Sequence, residues 1–305
     1  MFFCVVAHGQ CCDLARPDAH APLAVMGDHL HKKNELMLGA HFHLMNMNHA
    51  GHHGSSSLGT SMQMYMIESM WGVSSNLTAM LMVPYLRTST RAGTSQVATD
   101  TKVTFGSISD IEVSGLVNVL RAKHTATHLN LGVSVPTGNI NRTERTTYGS
   151  IKMPYMMQAG SGTFDAVVGI TSLYQRPKWS GGGQLMANVR TYNNKNDYRL
   201  GNHFTTNIWA SYRFTSNLST SVRAEWHYQT AMVGQDVAID PDTIIPAGQH
   251  IGVALGINYY FSSGGLKGNR VAVEAYYPLY YTEALAAQRI NWEVAGGWQK
   301  TYKLR

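Results

Sequence analysis

The chain of 305 residues has few charges, and its cysteines are confined to its beginning. Asp, Glu, Lys and Arg make up 14% of it, whereas they account for about 25% of an average soluble protein. Because no cysteine follows Cys4, Cys11 and Cys12, the body of the chain contains neither a disulfide framework nor a thiolate metal site. No apolar run approaches the roughly 20 residues that a membrane-spanning helix needs, and no amphipathic helical periodicity stands out.

Two classes of function lack their usual sequence features. The net charge of +6 is spread along the chain without a block of Lys or Arg, whereas nucleic-acid binding needs a clustered basic face. An outer-membrane hydrolase needs a Ser and His pair held by a third group, and no motif or spacing singles out such a set. We therefore expect no nucleic-acid partner and no enzyme activity.

The stretch 34–87 alternates with a strict period of two, which is typical of strands that have two different environments. One face of its first segment is aliphatic and carries Leu36, Leu38, Ala40, Phe42 and Leu44. The opposite face, and one face of each of the next two segments, carries thioethers and imidazoles. These are Met37, His41, His43, Met45, Met62, Met64, Met66, Met80 and Met82.

Further alternating segments bring the number of predicted strands to twelve. They lie at 36–45, 62–70, 77–85, 110–120, 128–135, 164–170, 183–190, 208–212, 218–228, 251–259, 271–277 and 290–298. Short links of a few residues alternate with mostly longer ones, which run over 46–60, 88–109, 138–156, 191–201, 230–250 and 281–289. This asymmetry predicts an all-β protein, a transmembrane antiparallel up-and-down β-barrel with short periplasmic turns and long extracellular loops. A soluble β-sandwich or propeller is the alternative.

A closed barrel in a bilayer turns its aliphatic face to the lipid, so the bacterial outer membrane is the expected location and its lipids an expected partner. The polar face then points into the lumen. There we expect a charge network formed by Arg223, Glu225, His227 and Glu274. The predicted organisation is a signal-like or disordered N-terminus over 1–21, a periplasmic segment over 22–33 that leads into the first strand, and the barrel over 34–305.

The thioether and imidazole face predicts a metal site. Thioethers suit Cu(I), and imidazole suits copper and zinc, so a copper ion is the candidate cofactor. Of the 16 methionines, 11 lie in the first 82 positions. With the residues named above, the predicted ligands include Met47, His49, His52 and His53 of the first long link. The alternative is that methionine, which is flexible, fills an irregular barrel interior.

Several segments follow one another in an order that resembles a known family. They are MGDHLHKK, SMQMYMIESMWGVSSNLTAMLMVPY, LNLGVSVPTG, MPYMMQAGSGTFDAVVGITSLYQ and NHFTTNIWASYRFTSNLSTSVRAEW. Together they resemble the outer-membrane transporter-like proteins of the MetA phenol-degradation-pathway family, in particular its Met/His-rich branch found alongside copper-resistance genes. The resemblance spans residues 22–299 and implies an outer-membrane barrel assigned to transport.

Three functions therefore compete. The first is a barrel that binds or passes a soft metal ion, most readily copper, through a Met/His-lined lumen. The second is a passive channel for small organic, in particular aromatic, compounds, which predicts an aromatic lumen pocket and no dependence on metal. The third is a plugged barrel whose extracellular loops make contacts. The expected partner in the first two is a small ion or molecule, and the sequence leaves the oligomeric state open.

Overall fold

The computed structural model describes residues 30–49, 58–94, 97–146 and 149–304. Within these ranges, no helix is long and apolar enough to cross a membrane. The predicted N-terminal unit 1–21, most of the segment 22–33, and His52 and His53 lie outside the described residues. What the structure describes is built almost entirely from antiparallel strands.

Twelve long strands form the wall, and the fourth of them is made of two consecutive segments. In chain order they are β1 Glu35–His49, β2 Leu58–Gly72, β3 Leu77–Thr94, β4 Val97–Ile108 with Ile111–Arg121, β5 Thr125–Val135, β6 Asp165–Gln175, β7 Trp179–Val189, β8 His203–Arg213, β9 Leu218–Gln229, β10 Gly248–Tyr260, β11 Asn269–Tyr281 and β12 Arg289–Lys303. This agrees with the predicted number of strands.

Each strand pairs antiparallel with its neighbours in the chain, and the sheet closes on itself. β1 pairs with β2 on one side and with β12 on the other, from Glu35 opposite Lys303 to Asn48 opposite Arg289. The closed ring satisfies the backbone hydrogen bonds of every strand within the wall, which is the condition for a β-structure in hydrocarbon. The prediction of a closed up-and-down barrel is confirmed.

The prediction that residues 88–109 form a loop is wrong. β3 continues to Thr94, and the first segment of β4 pairs with it from Ile108 opposite Tyr85 to Val97 opposite Thr94. Thr and Ser recur at both odd and even positions of this stretch. It therefore lacks the apolar–polar alternation by which the other strands are recognised. The first long link is likewise shorter than predicted, since β1 reaches His49 and β2 begins at Leu58.

The two faces of the wall differ as expected. Aliphatic side chains point outwards and are strongly exposed, among them Ile67 (66%), Ile208 (64%) and Leu255 (67%). Inward side chains at alternating positions are buried, for example Met37 (2%) and Glu274 (3%). The outward apolar band is the surface that lipid covers.

This assignment predicts a depth-dependent response to charge. Leu255→Arg places a guanidinium in the middle of the apolar band, and we expect it to lower the free energy of unfolding by about 2–4 kcal/mol in lipid vesicles. The matched control is Leu266→Arg, because Leu266 is 57% exposed but lies in the short turn after β10. Urea titration of both variants checks the prediction, and equal losses would show that the band does not face lipid.

Candidate functional site in the barrel lumen

A cluster of thioethers covers the lumen wall of β1–β4 near the short-turn end. Met37 lies opposite Met70, and Met70 lies opposite Met80 on the next strand. These three side chains pack with Met82 and Leu116 in one buried cluster. Met66 and Leu30 pack against it from its edges. The structure thus brings Met37, Met66, Met80 and Met82 of the predicted ligand set together, and it adds Met70.

The segment before β1 folds inwards beneath this thioether cluster. Leu30 contacts the cluster, and the backbone N–H of the buried His31 donates a hydrogen bond to the hydroxyl of Thr78 at 2.9 Å. The carbonyl of Lys32 lies so close to Gly72 that a Cβ there would sit 1.8 Å from it. The chain therefore passes along the inside of the wall before it enters β1, and it narrows the lumen at the short-turn end.

Two inward-facing histidines of β1 are each backed by a carboxylate. His41 Nε2 donates to Glu68 Oε1 at 2.8 Å, and the amide of Gln299 donates to the same oxygen at 2.8 Å. Gly39 makes this possible, because a Cβ at that position would lie 2.5 Å from Glu68 Oε1. His43 Nδ1 lies 2.7 Å from Glu293 Oε1.

The second nitrogen of each ring has no hydrogen-bond partner among the described residues. His41 Nδ1 and His43 Nε2 are both buried, while Met66 and Met64 stand directly opposite on β2. A carboxylate that holds one imidazole nitrogen fixes the ring orientation and is the usual support of a metal-binding histidine. As the side chains stand, however, the described residues contain no group of three or more His, Cys, Asp or Glu arranged around a metal position.

The other predicted ligands follow the same wall towards the long loops. Met45 lies opposite Met62, and His43 lies opposite Met64. Met47 is buried beyond them. The side chain of His49 lies outside the described part of the structure. The thioether face is therefore continuous from Met47 down to Met37, with His41 and His43 in its middle.

A charge network occupies the opposite wall. The guanidinium of Arg223 donates to Glu274 Oε1 at 2.6 and 3.2 Å and to Asn207 Oδ1 at 2.9 Å, and it also contacts Glu225. Arg223 and Glu274 are each 3% exposed. The structure thus joins three members of the predicted network, Arg223, Glu225 and Glu274. The fourth, His227, belongs to a separate group.

That separate group is a row of imidazoles at the long-loop end of the same wall. The ring centroids of His203 and His227 are 5.2 Å apart, and those of His227 and His250 are 4.8 Å apart. Glu225 Oε1 lies 3.6 Å from His250 Nε2. Neither His203 nor His250 is among the site residues predicted from the sequence. The register that aligns them, with His227 directly opposite His250, is a property of strand pairing that spacing along the chain does not reveal.

Large side chains pack tightly against one another on the lumen face of the wall. The buried inward residues include polar groups that are at most 2% exposed, namely His128, Asn130, Thr171, Gln184 and Arg270. Small residues stand beside the largest side chains, as Gly182 does beside Trp209 and Gly252 beside Tyr276. Neighbouring side chains therefore cover much of the polar surface of the lumen wall.

Three long loops pack on one another on the side away from the short turns. Tyr155, Tyr198, Met232 and Ile239 form a small buried cluster between them, and Lys152 pairs with Asp236. Burial acts to raise the pKa of the Asp236 carboxyl, but hydrogen bonds from Lys152 and the Ala238 amide outweigh it and hold the pKa below its ordinary value. The loops thus have a core of their own.

The closed ring of twelve strands, its aliphatic outer band and its polar lumen define a bacterial outer-membrane β-barrel. A family profile described as "Putative MetA-pathway of phenol degradation" matches residues 45–274. The chain belongs to this family, as its sequence predicted. A search of curated protein sequences gives no match.

Solved structures of other outer-membrane proteins are similar to this chain at low sequence identity. An outer membrane channel from Pseudomonas putida F1 is similar over 93% of this chain and 98% of its own, with a TM-score of 0.67 and 12% identity. The translocator domain of the autotransporter NalP from Neisseria meningitidis has a TM-score of 0.48 and 8% identity, with 89% of each chain covered. A mutant of TodX, a monoaromatic hydrocarbon channel, has a TM-score of 0.44 and 10% identity, with 90% of this chain and 91% of that one covered.

The buried charge network makes a prediction about stability. Arg223→Met leaves Glu274 buried without its guanidinium, and removal of one partner of a buried pair costs about 3–5 kcal/mol. We expect the free energy of unfolding to fall by that amount. Arg121→Met is the control, because Arg121 is exposed and its guanidinium donates to the carbonyl of Ser75. Denaturant titration in vesicles measures both, and a loss no greater than that of the control would contradict a structural role of the network.

Proposed function

We propose that the barrel is a channel for small organic molecules that combine an apolar ring with a polar group, as phenols do. The observation that carries this proposal is the presence of two unlike walls in one lumen. β1–β4 present the thioether cluster, whereas β9–β11 present Arg223, Glu225 and Glu274. The description of the family and the structural similarity to an outer membrane channel support this function over the metal-linked one.

The chemistry of each wall suits one part of such a molecule. Methionine sulfur makes favourable contacts with aromatic rings, worth about 0.3–1.5 kcal/mol each, and its flexible side chain can adjust to the ring. The opposite wall offers hydrogen-bonding groups for a hydroxyl, including the phenol group of Tyr276, which has no hydrogen-bond partner among the described residues. The lumen pocket expected for an organic channel was aromatic, whereas the apolar surface that we propose for this role is made of thioethers.

Uptake of labelled phenol by porin-deficient cells tests the proposal, since the lipopolysaccharide leaflet slows apolar solutes. We expect uptake several-fold above that of cells without the protein. Replacing Met37, Met70, Met80 and Met82 by Leu keeps the wall apolar, and uptake should stay within about twofold, because Met and Leu are similar in volume. Met70→Gln, which makes the wall polar, should reduce it. Uptake equal to that of cells without the protein would contradict the channel.

A second candidate, binding or passage of a soft metal ion, is favoured by one specific observation. His41 and His43 are each backed by a carboxylate, and each has a buried nitrogen without a partner opposite Met66 and Met64. Thioether and imidazole are ligands that Cu(I) accepts. Copper is therefore the cofactor that we propose under this second function, with the Met/His wall as its site.

Anaerobic calorimetric titration with Cu(I) tests the second candidate. We expect tight binding by the detergent-folded barrel and its loss when Met62, Met64, Met66, Met80 and Met82 are changed to Leu. Phenol uptake that survives these changes would separate the two functions, because leucine keeps an apolar wall but offers no ligand. An absence of Cu(I) binding would overturn the metal-linked function. If phenol uptake were absent as well, a plugged barrel with a surface role would remain.

A further inference from the structure

The imidazole row at the long-loop end has no role in the function proposed above. His203 begins β8, His227 lies near the end of β9, and His250 lies near the start of β10. All three are partly exposed, in contrast to fully buried residues of the lumen wall such as His128. They lie on the side of the barrel that carries the long loops. We propose that His203, His227 and His250 form a binding site for a divalent transition-metal ion of the Zn²⁺ class.

The spacing of the two neighbouring ring pairs, His203 with His227 and His227 with His250, is that of imidazoles that share an ion. With metal–nitrogen bonds of about 2.0–2.1 Å and tetrahedral angles, two imidazoles on one ion have ring centroids roughly 5 Å apart. The separations of 5.2 Å for His203 and His227 and 4.8 Å for His227 and His250 match this value. As placed, the rings of His227 and His250 are stacked at 25° and do not converge on a metal position. An ion requires them to turn about their side-chain bonds, while the strands stay in register.

Neighbouring groups supply orientation and a fourth ligand. The hydroxyl of Thr205 lies 3.1 Å from His227 Nδ1, which leaves Nε2 of that ring for an ion. Such a partner fixes the ring orientation of a metal-binding histidine. The carboxylate of Glu225 lies beside His250 and carries the negative charge that a divalent cation favours. Arg223 keeps Glu274 and Asn207 as partners, so Glu225 can turn to an ion without leaving the guanidinium unpaired.

The chemistry separates this site from the thioether wall. Imidazoles and a carboxylate suit Zn²⁺ and similar borderline ions, whereas thioethers select Cu(I). The two sites also lie on different strands of the wall, β1–β3 for the Met/His wall and β8–β10 for the imidazole row. Absence of one metal site would therefore not affect the other. Zn²⁺ binding can also be measured without any passage of solute through the barrel.

The experiment is calorimetric titration of the detergent-folded full chain with Zn²⁺, followed by the visible absorption of bound Co²⁺. The background variant carries Gln in place of His49, His52 and His53, which removes competing loop ligands. We expect one ion per chain and a tetrahedral Co²⁺ spectrum. His227→Gln should weaken binding by about tenfold or more, since loss even of groups that support a ligand costs 10–100-fold. His124→Gln, in a short turn at the other end of the barrel, should leave it unchanged.

A folding control and a second variant keep the outcome interpretable. Heat-modifiable migration on gels shows whether each variant folds, and His203→Gln replaces His227→Gln if the latter does not. Equal Zn²⁺ affinity in the background and in the folded histidine variant would overturn the site, as would the absence of any binding in the background. Weaker binding together with loss of the tetrahedral Co²⁺ spectrum in the variant supports it.

Discussion

The need to pair every backbone N–H and C=O inside a bilayer is the constraint on which the rest of the structure depends. In hydrocarbon an unpaired group costs several kcal/mol, so the sheet has to close, and β1 pairs with β12 for this reason. Closure then fixes the alternation of side chains. Every second residue faces lipid and the others share a narrow interior. The contents of the lumen are thus a direct consequence of the strand register.

Side chains of different chemistry fill that interior. Large side chains fit there because small residues stand beside them. Glu68 reaches across β1 because residue 39 is a glycine, and it can then hold both His41 and Gln299. Similar pairs of small and large residues allow the centre to be densely packed. Flexible thioethers form the opposite surface to a rigid, hydrogen-bonded charge network. A solute can therefore displace the side chains of the thioether wall more easily than those of the charge network.

The strands, their faces and the closed barrel could be predicted from period-two alternation, because lipid and lumen impose opposite polarity on neighbouring residues. The hairpin over 88–109 could not, since Thr and Ser recur there at both odd and even positions. The partners of individual side chains were still harder to predict. Pairing of His41 with Glu68, or alignment of His227 with His250, depends on the register between strands, which the chain order alone leaves free. Met70 stood in the predicted alternation but was not recognised as part of the cluster.

A channel for phenols requires that the thioether wall contacts a small aromatic molecule. NMR of the barrel with ¹³C-labelled methionine methyl groups, recorded during titration with phenol, detects this contact. We expect ring-current shifts that saturate for Met37, Met70, Met80 and Met82, while Met153 and Met232 of the loop region stay unchanged. Unchanged lumen methyl signals, or shifts confined to the two loop methionines, would contradict it.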